Sequence, residues 1–379
     1  MGNVVGGGRI GCLDGMRGIA ALWVLIGHAH LLTGFEVPVI GDPDLGVDLF
    51  IMLSGFLMVF HYQLRRDREP WESPDTWRFF WTRRFCRIAP LYYVLLVVAL
   101  ALGPYLYDVR MIIDAFNGKP PQAATRYVDG SIANYLTHLT FIFGLIPHYA
   151  YRTALPDWSI GLEMQFYVAL PFLMIIIGRV GWLKGIVGIV ILSVVTALAV
   201  HRLGVRFPMP TFLPMKMHVF AAGMLLAGAL WMKPNRPAYL AFVVATLLVL
   251  IPIGGAMTVL HQAVRVCLVA LFFGLVHVDR LPRVMAGIAR PVGAFLGNRF
   301  CHHLGELSFG AYLIHLLVML PVIATLIQNY PMTDPSRWAV TLIITVPIVY
   351  AFAWVGYNFI ELQGQKAGKA LSRPRTISP

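Results

Sequence analysis

An all-α bundle of about ten membrane-spanning helices is the fold this sequence predicts, and three observations predict it. Of the 379 residues, 58% are hydrophobic and only 13% are charged, against roughly a quarter charged in a soluble domain. Apolar runs of about 18 residues or more recur along the whole chain, each long enough to cross a hydrocarbon core as a helix. The formal net charge of +12 comes from basic residues lying between those runs, where the positive-inside rule puts them. A nucleic-acid partner is therefore rejected, and membrane lipids are the surroundings the charge pattern fits.

The expected spans are 13–33, 45–63, 89–107, 158–178, 183–201, 212–232, 238–256, 259–278, 306–328 and 338–359. Before the first, MGNVVGGGRIGC has no apolar core, so that span is expected to act as its own insertion signal. The apolar stretch 131–150 is not counted as a span, because an eleventh crossing would turn every later basic loop outward. It is expected to dip into the protein as a re-entrant segment, which is tolerable where it is buried or lines a cavity. Most of the 30 Lys and Arg fall in 64–88, 179–184, 233–236, 280–299 and 366–375. That asymmetry puts both termini in the cytoplasm, in a cell (inner) membrane. The chain reads as one membrane-embedded domain over 1–379, with a short basic tail at 362–379. Cys12, Cys86, Cys267 and Cys301 show no metal-ligand spacing and no expected disulfide.

The first span, LDGMRGIAALWVLIGHAH, carries Asp14, Arg17, His28 and His30. Arg17 and His28 are eleven positions apart, about three turns and a rise of about 16 Å, so they share a face. Asp14 lies one turn below Arg17, whereas His30 points away. Gly18, Ala20 and Ala21 keep the lower half slim enough for a second helix or a ligand to approach. Ionisable groups inside spans are costly and usually face a partner or a cavity. A cation at the inner end can hold an anion, and an imidazole higher on that face can take a proton. Snorkelling of the lower pair and quiet packing of His28 is the plainer alternative.

Further constellations follow in order. GVDLFIMLSGFLM places Asp48 near the outer start of the second span and Ser54–Gly55 about two turns deeper, the latter also readable as a helix-packing notch. RFFWTRRFCRIAPLYY sets Arg83, Arg84 and Arg87 at helical spacing ahead of Pro90, which is expected to stop or kink the helix. The arginines read equally as a lipid-facing basic flank or as a clamp for a multidentate anion. LPDWSIGLEMQFYVALPF brings Trp158, Glu163 and Tyr167 into the next span, where a carboxylate can orient a histidine. LGELSFGAYLIHLLVML carries Tyr312 and His315, the latter read as structural or supporting. Arg265 is a span charge with no partner evident from the sequence. No Walker loop, HExxH, G-x-S-x-G or dinucleotide fingerprint is present.

Together these five blocks, in this order, resemble the acyltransferase-3 family of integral-membrane acyltransferases. The carrying features are Arg17 and His28 with ten residues between them, GVDLFIMLSGFLM, Arg84 and Arg87 with two residues between them, WSIGLEMQFY, and the block ending at His315. Ala89 and Gly161 depart from the family's usual residues without removing a proposed catalytic group. The resemblance implies a ten-helix core that moves an acyl group, usually acetyl, from cytoplasmic acyl-coenzyme A to a hydroxyl on the outer face. The acceptor would be an extracytoplasmic or lipid-linked carbohydrate, or alternatively a macrolide-type small molecule. No permanently bound cofactor and no metal are expected, since a thioester is already activated. The C-terminal SGNH-type hydrolase domain of some members is not expected in a chain of this length. His28 would be general base or acyl carrier, with Glu163 orienting it or binding acceptor. Arg17, Arg83, Arg84 and Arg87 would bind the donor, whose pantetheine arm would climb the slim face of the first helix. Asp14, Asp48, Ser54, Trp158, Tyr167, Tyr312 and His315 would support the acceptor side or the catalytic groups. A proton-coupled transporter is the rival of a different class, since it too would bury Glu, His and Arg.

Overall fold

The structure is a computed structural model and describes residues 10–232, 235–255 and 258–372. Arg9, Lys233 and the basic tail beyond residue 372, all used in the charge argument, lie outside them. Among the described residues every regular element is a helix, and there is no strand. The helices are α1 (Gly11–Thr33), α2 (Pro43–Arg65), α3 (Pro74–Ala101), α4 (Gly103–Phe116), α5 (Thr125–Val128), α6 (Ile132–Leu139), α7 (Trp158–Val180) and α8 (Trp182–Arg202). They continue with α9 (Leu213–Gly228), α10 (Asn235–Val249), α11 (Val259–Val276), α12 (Arg283–Leu296), α13 (Arg299–Asn329), α14 (Asp334–Gly356) and α15 (Leu362–Leu371). A π-helical turn, Tyr357–Glu361, joins the last two.

Nine of the described helical segments are long and apolar enough to cross a membrane. The span expected at 238–256 is instead the shorter α10, because Pro252, Gly254 and Gly255 end the helix early. It still joins the two ends of the bundle. Tyr239 near its start donates to the Arg280 carbonyl, and the Val249 carbonyl at its end accepts from Arg265. The described residues thus pass ten times between the same two ends, nine times in a long apolar helix and once in the shorter α10, as in a multi-pass membrane protein.

One other boundary differs from expectation. Helix α3 begins at Pro74, well ahead of the span expected at 89–107, and runs through Pro90 unbroken, so the arginines lie on the same helix as that span. Pro90 leaves the Cys86 carbonyl without its helical donor, and the bare backbone of Gly364 on α15 packs against that carbonyl. The stretch 131–150 forms no span. It folds into α6 and a 3-10 turn at Ile142–Leu145, with Asn134, Thr137 and His138 buried and Ile132 and Leu136 exposed. Phe141 reaches down α3 to pack on Phe85, Tyr92 and Tyr93.

Helix α1 lies at the centre, held by α13, α2, α14 and α12. Glycines set its closest approach. A methyl group on Gly18 would lie 2.6 Å from Leu304 Cβ and 2.8 Å from the Gly305 nitrogen. Small residues serve this purpose where lipid supplies no hydrophobic drive for helices to associate. Gly55 and Gly223 do the same between α2 and α9, against Phe220 and Met52. The slim face of α1 is therefore filled by a helix and leaves no channel for a linear ligand.

Candidate functional site

Polar residues of six spans converge on one cavity of about 200 Å³. Helix α1 supplies Asp14 and Arg17, one turn apart. Helix α2 supplies Ser54, α3 supplies Arg84 and Arg87, and α7 supplies Glu163 and Tyr167. The far wall is Glu306 of α13 with Tyr357 and Glu361 of the π-helical turn. Among the described residues, neither Arg17 nor Arg87 has a side-chain hydrogen bond or ion pair. The buried Nε of Arg84 has no partner either. The Arg84 guanidinium instead lies over the rings of Phe80 and Tyr167, at 5.8 and 5.9 Å.

The carboxylates are held more firmly. Glu163 Oε1 accepts from Ser54 Oγ at 2.9 Å and from the Tyr167 hydroxyl. Glu306 accepts from Tyr357 OH at 3.2 Å and lies within 3.6 Å of His302, which also reaches Asp14 at 3.4 Å. Glu361 is the exception: only 2% exposed, with one oxygen buried and unpartnered. Its π-helical turn is a rare geometry that is frequent at functional sites.

A second cavity of about 60 Å³ adjoins the first, and Arg17, Ser54, Glu163 and Phe309 line both. Its other end is Phe50, Ser159 and Tyr312. The Tyr312 hydroxyl donates to the Pro156 carbonyl at 2.7 Å and sits 2.8 Å from Ser159 Oγ. One turn further along α13, fully buried His315 has Nδ1 2.6 Å from the Tyr312 carbonyl and Nε2 3.2 Å from His28 Nδ1. His28 Nδ1 is also 2.9 Å from the Val24 carbonyl. The order along the bundle is arginines, Glu163–Ser54, Tyr312, then the His315–His28 pair. His28 lines neither cavity, and Glu163 sits at the Arg17 level, about 16 Å of helix rise away. The partner of the His28 ring is His315, not Glu163.

Three further expected residues lie elsewhere. Arg83 turns away to a two-pronged pair with Glu69, at 3.0 and 2.6 Å. Trp158 is buried at the start of α7 and lines neither cavity. Asp48, 2% exposed, is the hub of an ion cluster: Lys216 Nζ at 2.8 Å, His261 Nε2 at 3.4 Å, and the Arg265 guanidinium. Asp48 is thus the partner of Arg265 that sequence could not name. Lys216 and Glu361 escaped notice, although an ionisable residue within an apolar run is a signal in itself.

At the His28 end, outside the spans, Asp157 Oδ2 accepts from Thr153 Oγ1 at 2.9 Å and Tyr92 OH at 3.1 Å. Burial pushes its carboxyl above the usual carboxylate range. Burial also lowers the Arg126 guanidinium to about 10, and its centre lies 3.5 Å from the Tyr151 ring centroid. Among the described residues no group of three or more His, Cys, Asp or Glu could hold a metal ion.

With this geometry in hand, comparison with known proteins is informative. A family model described as an acyltransferase domain, of the acyltransferase-3 type, matches residues 10–354. The peptidoglycan O-acetyltransferase OatA of Listeria monocytogenes is 23% identical over 94% of this chain and 56% of its own length. Protein 2 of the picA locus of Rhizobium radiobacter is 32% identical over 40% of this chain and 75% of its own. The nose resistant to fluoxetine protein 6 of Caenorhabditis elegans is 23% identical over 52% of this chain and 26% of its own. The chain thus spans just over half the length of the Listeria relative. No solved structure matches.

Proposed function

Because the chain belongs to the acyltransferase-3 family, we propose that it transfers an acyl group, acetyl first among candidates, from acyl-coenzyme A to a hydroxyl across the membrane. The acceptor in this reading is an extracytoplasmic or lipid-linked carbohydrate, and the arginine end of the bundle faces the cytoplasm of an inner membrane. The observation that carries it is one cavity lined by Arg17 and Arg87, which have no side-chain hydrogen bond or ion pair, and by Arg84, which is held only against aromatic rings. Guanidinium N–H groups left without acceptors in a half-buried cavity are costly, and a phosphate group satisfies them with strong, charge-assisted bonds. The far wall, with Glu306 and Glu361, is acidic. Coenzyme A has something for both walls: phosphates for the arginines, and ribose, amide and amino N–H or O–H donors for the carboxylates.

The chemistry then needs little. His28 takes the proton of the acceptor hydroxyl as its oxygen attacks the thioester carbonyl. The C–S bond breaks with its electron pair on sulfur, and the thiolate recovers the proton from His28. In the two-step variant the imidazole attacks first and expels the thiolate, and the hydroxyl oxygen then takes the acyl group from the imidazole while its proton goes to the thiolate. Glu163, tied to Ser54 and Tyr167 at the junction of the cavities, guides the donor arm.

The test uses membrane vesicles with labelled acetyl-CoA supplied at the arginine face, reading label in the carbohydrate fraction. His28→Ala is expected to lower transfer by at least ~100-fold, the low end of what a positioned base contributes. Losing one charge-assisted contact of about 1.5–3 kcal/mol, Arg84→Ala should raise the KM for acetyl-CoA ~10- to 100-fold. Full activity in the His28 variant, or substrate uptake with no acylated product, would overturn the reading; the latter outcome belongs to a transporter.

A further inference from the structure

The contacts around His315 fix more than its place. A carbonyl can only accept, so the 2.6 Å contact with the Tyr312 carbonyl puts the His315 proton on Nδ1. A neutral imidazole protonated at Nδ1 has a bare lone pair at Nε2. That lone pair lies 3.2 Å from His28 Nδ1, which also lies 2.9 Å from the Val24 carbonyl. Two acceptors flank His28 Nδ1, so its proton sits there, shared between them. His28 Nε2 is left as the unprotonated atom.

We propose that His315 is a positioning residue that holds His28 as the tautomer with Nε2 free to react, a neutral counterpart of the carboxylate that usually orients a catalytic histidine. The inference rests on the reading of His28 as the reacting group, and deepens it. It explains why an imidazole is spent at position 315. His315 is fully buried, its Nδ1 is anchored to the backbone of its own helix, and its ring centroid stands 4.9 Å from that of His28. A residue needed only to fill space there would not aim a lone pair at the ring of α1. A neutral orienter also suits this depth: a carboxylate opposite His28 would stabilise the imidazolium and trap the proton that the departing thiolate must recover. A neutral acceptor fixes the tautomer without that trap.

The experiment compares His315→Gln, His315→Asn and His315→Phe in the full-length protein, with His28→Ala as reference. A Gln carbonyl oxygen can stand where Nε2 stands and accept from His28. An Asn amide reaches the Tyr312 carbonyl but falls short of His28. Phe keeps the volume and loses both contacts. Expected: kcat falls ~30- to 1,000-fold in the Phe and Asn variants, within the range for misdirected general-base catalysis, while the KM for acetyl-CoA stays within about twofold. The Gln variant should recover at least tenfold over Asn. The pH dependence of kcat should change in Phe and Asn and stay near wild type in Gln. Stabilisation by added coenzyme A checks that each variant is folded. Gln no better than Asn, or wild-type kcat in Phe, would overturn the positioning role while an inactive His28→Ala protein still upheld the proposed function. An active His28→Ala protein would instead remove the premise, and the inference with it.

Discussion

Asp48 shows how much one side chain can hold. It neutralises two cations, Lys216 and Arg265, each only 2% exposed as it is itself. Removing one partner of a buried pair leaves an uncompensated charge and costs about 3–5 kcal/mol. Asp48→Asn is therefore expected to lower the thermal midpoint sharply in detergent. Asp42→Asn should do little, because Asp42 contacts only the His261 end of the cluster and its side chain is 37% exposed. Equal melting of the two variants would contradict the hub assignment. Span charges announce that a partner exists, but which one is a long-range fact: Asp48 and Arg265 are 217 residues apart in sequence. Arg83 and Arg84 illustrate the complementary blindness. Arg87 lies at i+4 and i+3 from them, so helical spacing admits either as its companion. Only the fold shows Arg84 facing the cavity and Arg83 spent on Glu69.

Among the elements, α1 and α13 carry the site, and glycine decides how near they come. Gly305 packs on the backbone of Asp14, where a methyl group would lie 2.6 Å from the Asp14 carbonyl carbon. Gly188 of α8 would meet nothing within 4 Å. Gly305→Ala should then destabilise by about 1–3 kcal/mol, the usual cost of overpacking. The same change at Gly188 should cost nothing and gain up to about 1 kcal/mol in helix propensity. Thermal melts of the pair read the difference, and a neutral Gly305→Ala would mean that the helices separate freely. Gly18, Ala20 and Ala21 were legible as slimness, yet a slim face invites a helix and a ligand alike. Nothing local decides between them; the matching glycine on α13, almost 290 positions on, does. Helix lengths were legible where the apolar run was unbroken, as in α1, α2 and α7. They were not where proline misled: Pro90 looked like a stop, but Gly364 lets α15 pack against the carbonyl that Pro90 frees.

For the whole molecule, the consequence is a passage made by several helices and not by one. The larger cavity and the smaller meet at Arg17, Ser54, Glu163 and Phe309, contributed by α1, α2, α7 and α13. Donor binding and acyl transfer should therefore be separable by blocking the junction alone. Ser54 is the place to do it: it lines both cavities, and its hydroxyl holds Glu163 without touching Arg84, Arg87 or His28. Ser54→Phe puts a ring where the two spaces join. It should leave the affinity for free coenzyme A within a few-fold, because the arginines that answer its phosphates are unaltered. It should cut acyl transfer by at least ~100-fold, since even a 1 Å misplacement of reacting groups costs that much. Ser54→Ala, which removes the Glu163 contact and leaves the junction open, should lose far less. Thermal stabilisation by coenzyme A, read beside transfer in the same preparations, makes the comparison. If Ser54→Phe binds coenzyme A and still transfers at the wild-type rate, the acyl group does not travel between these cavities. If it fails to bind while Ser54→Ala binds normally, the phosphates lie deeper than the arginine wall.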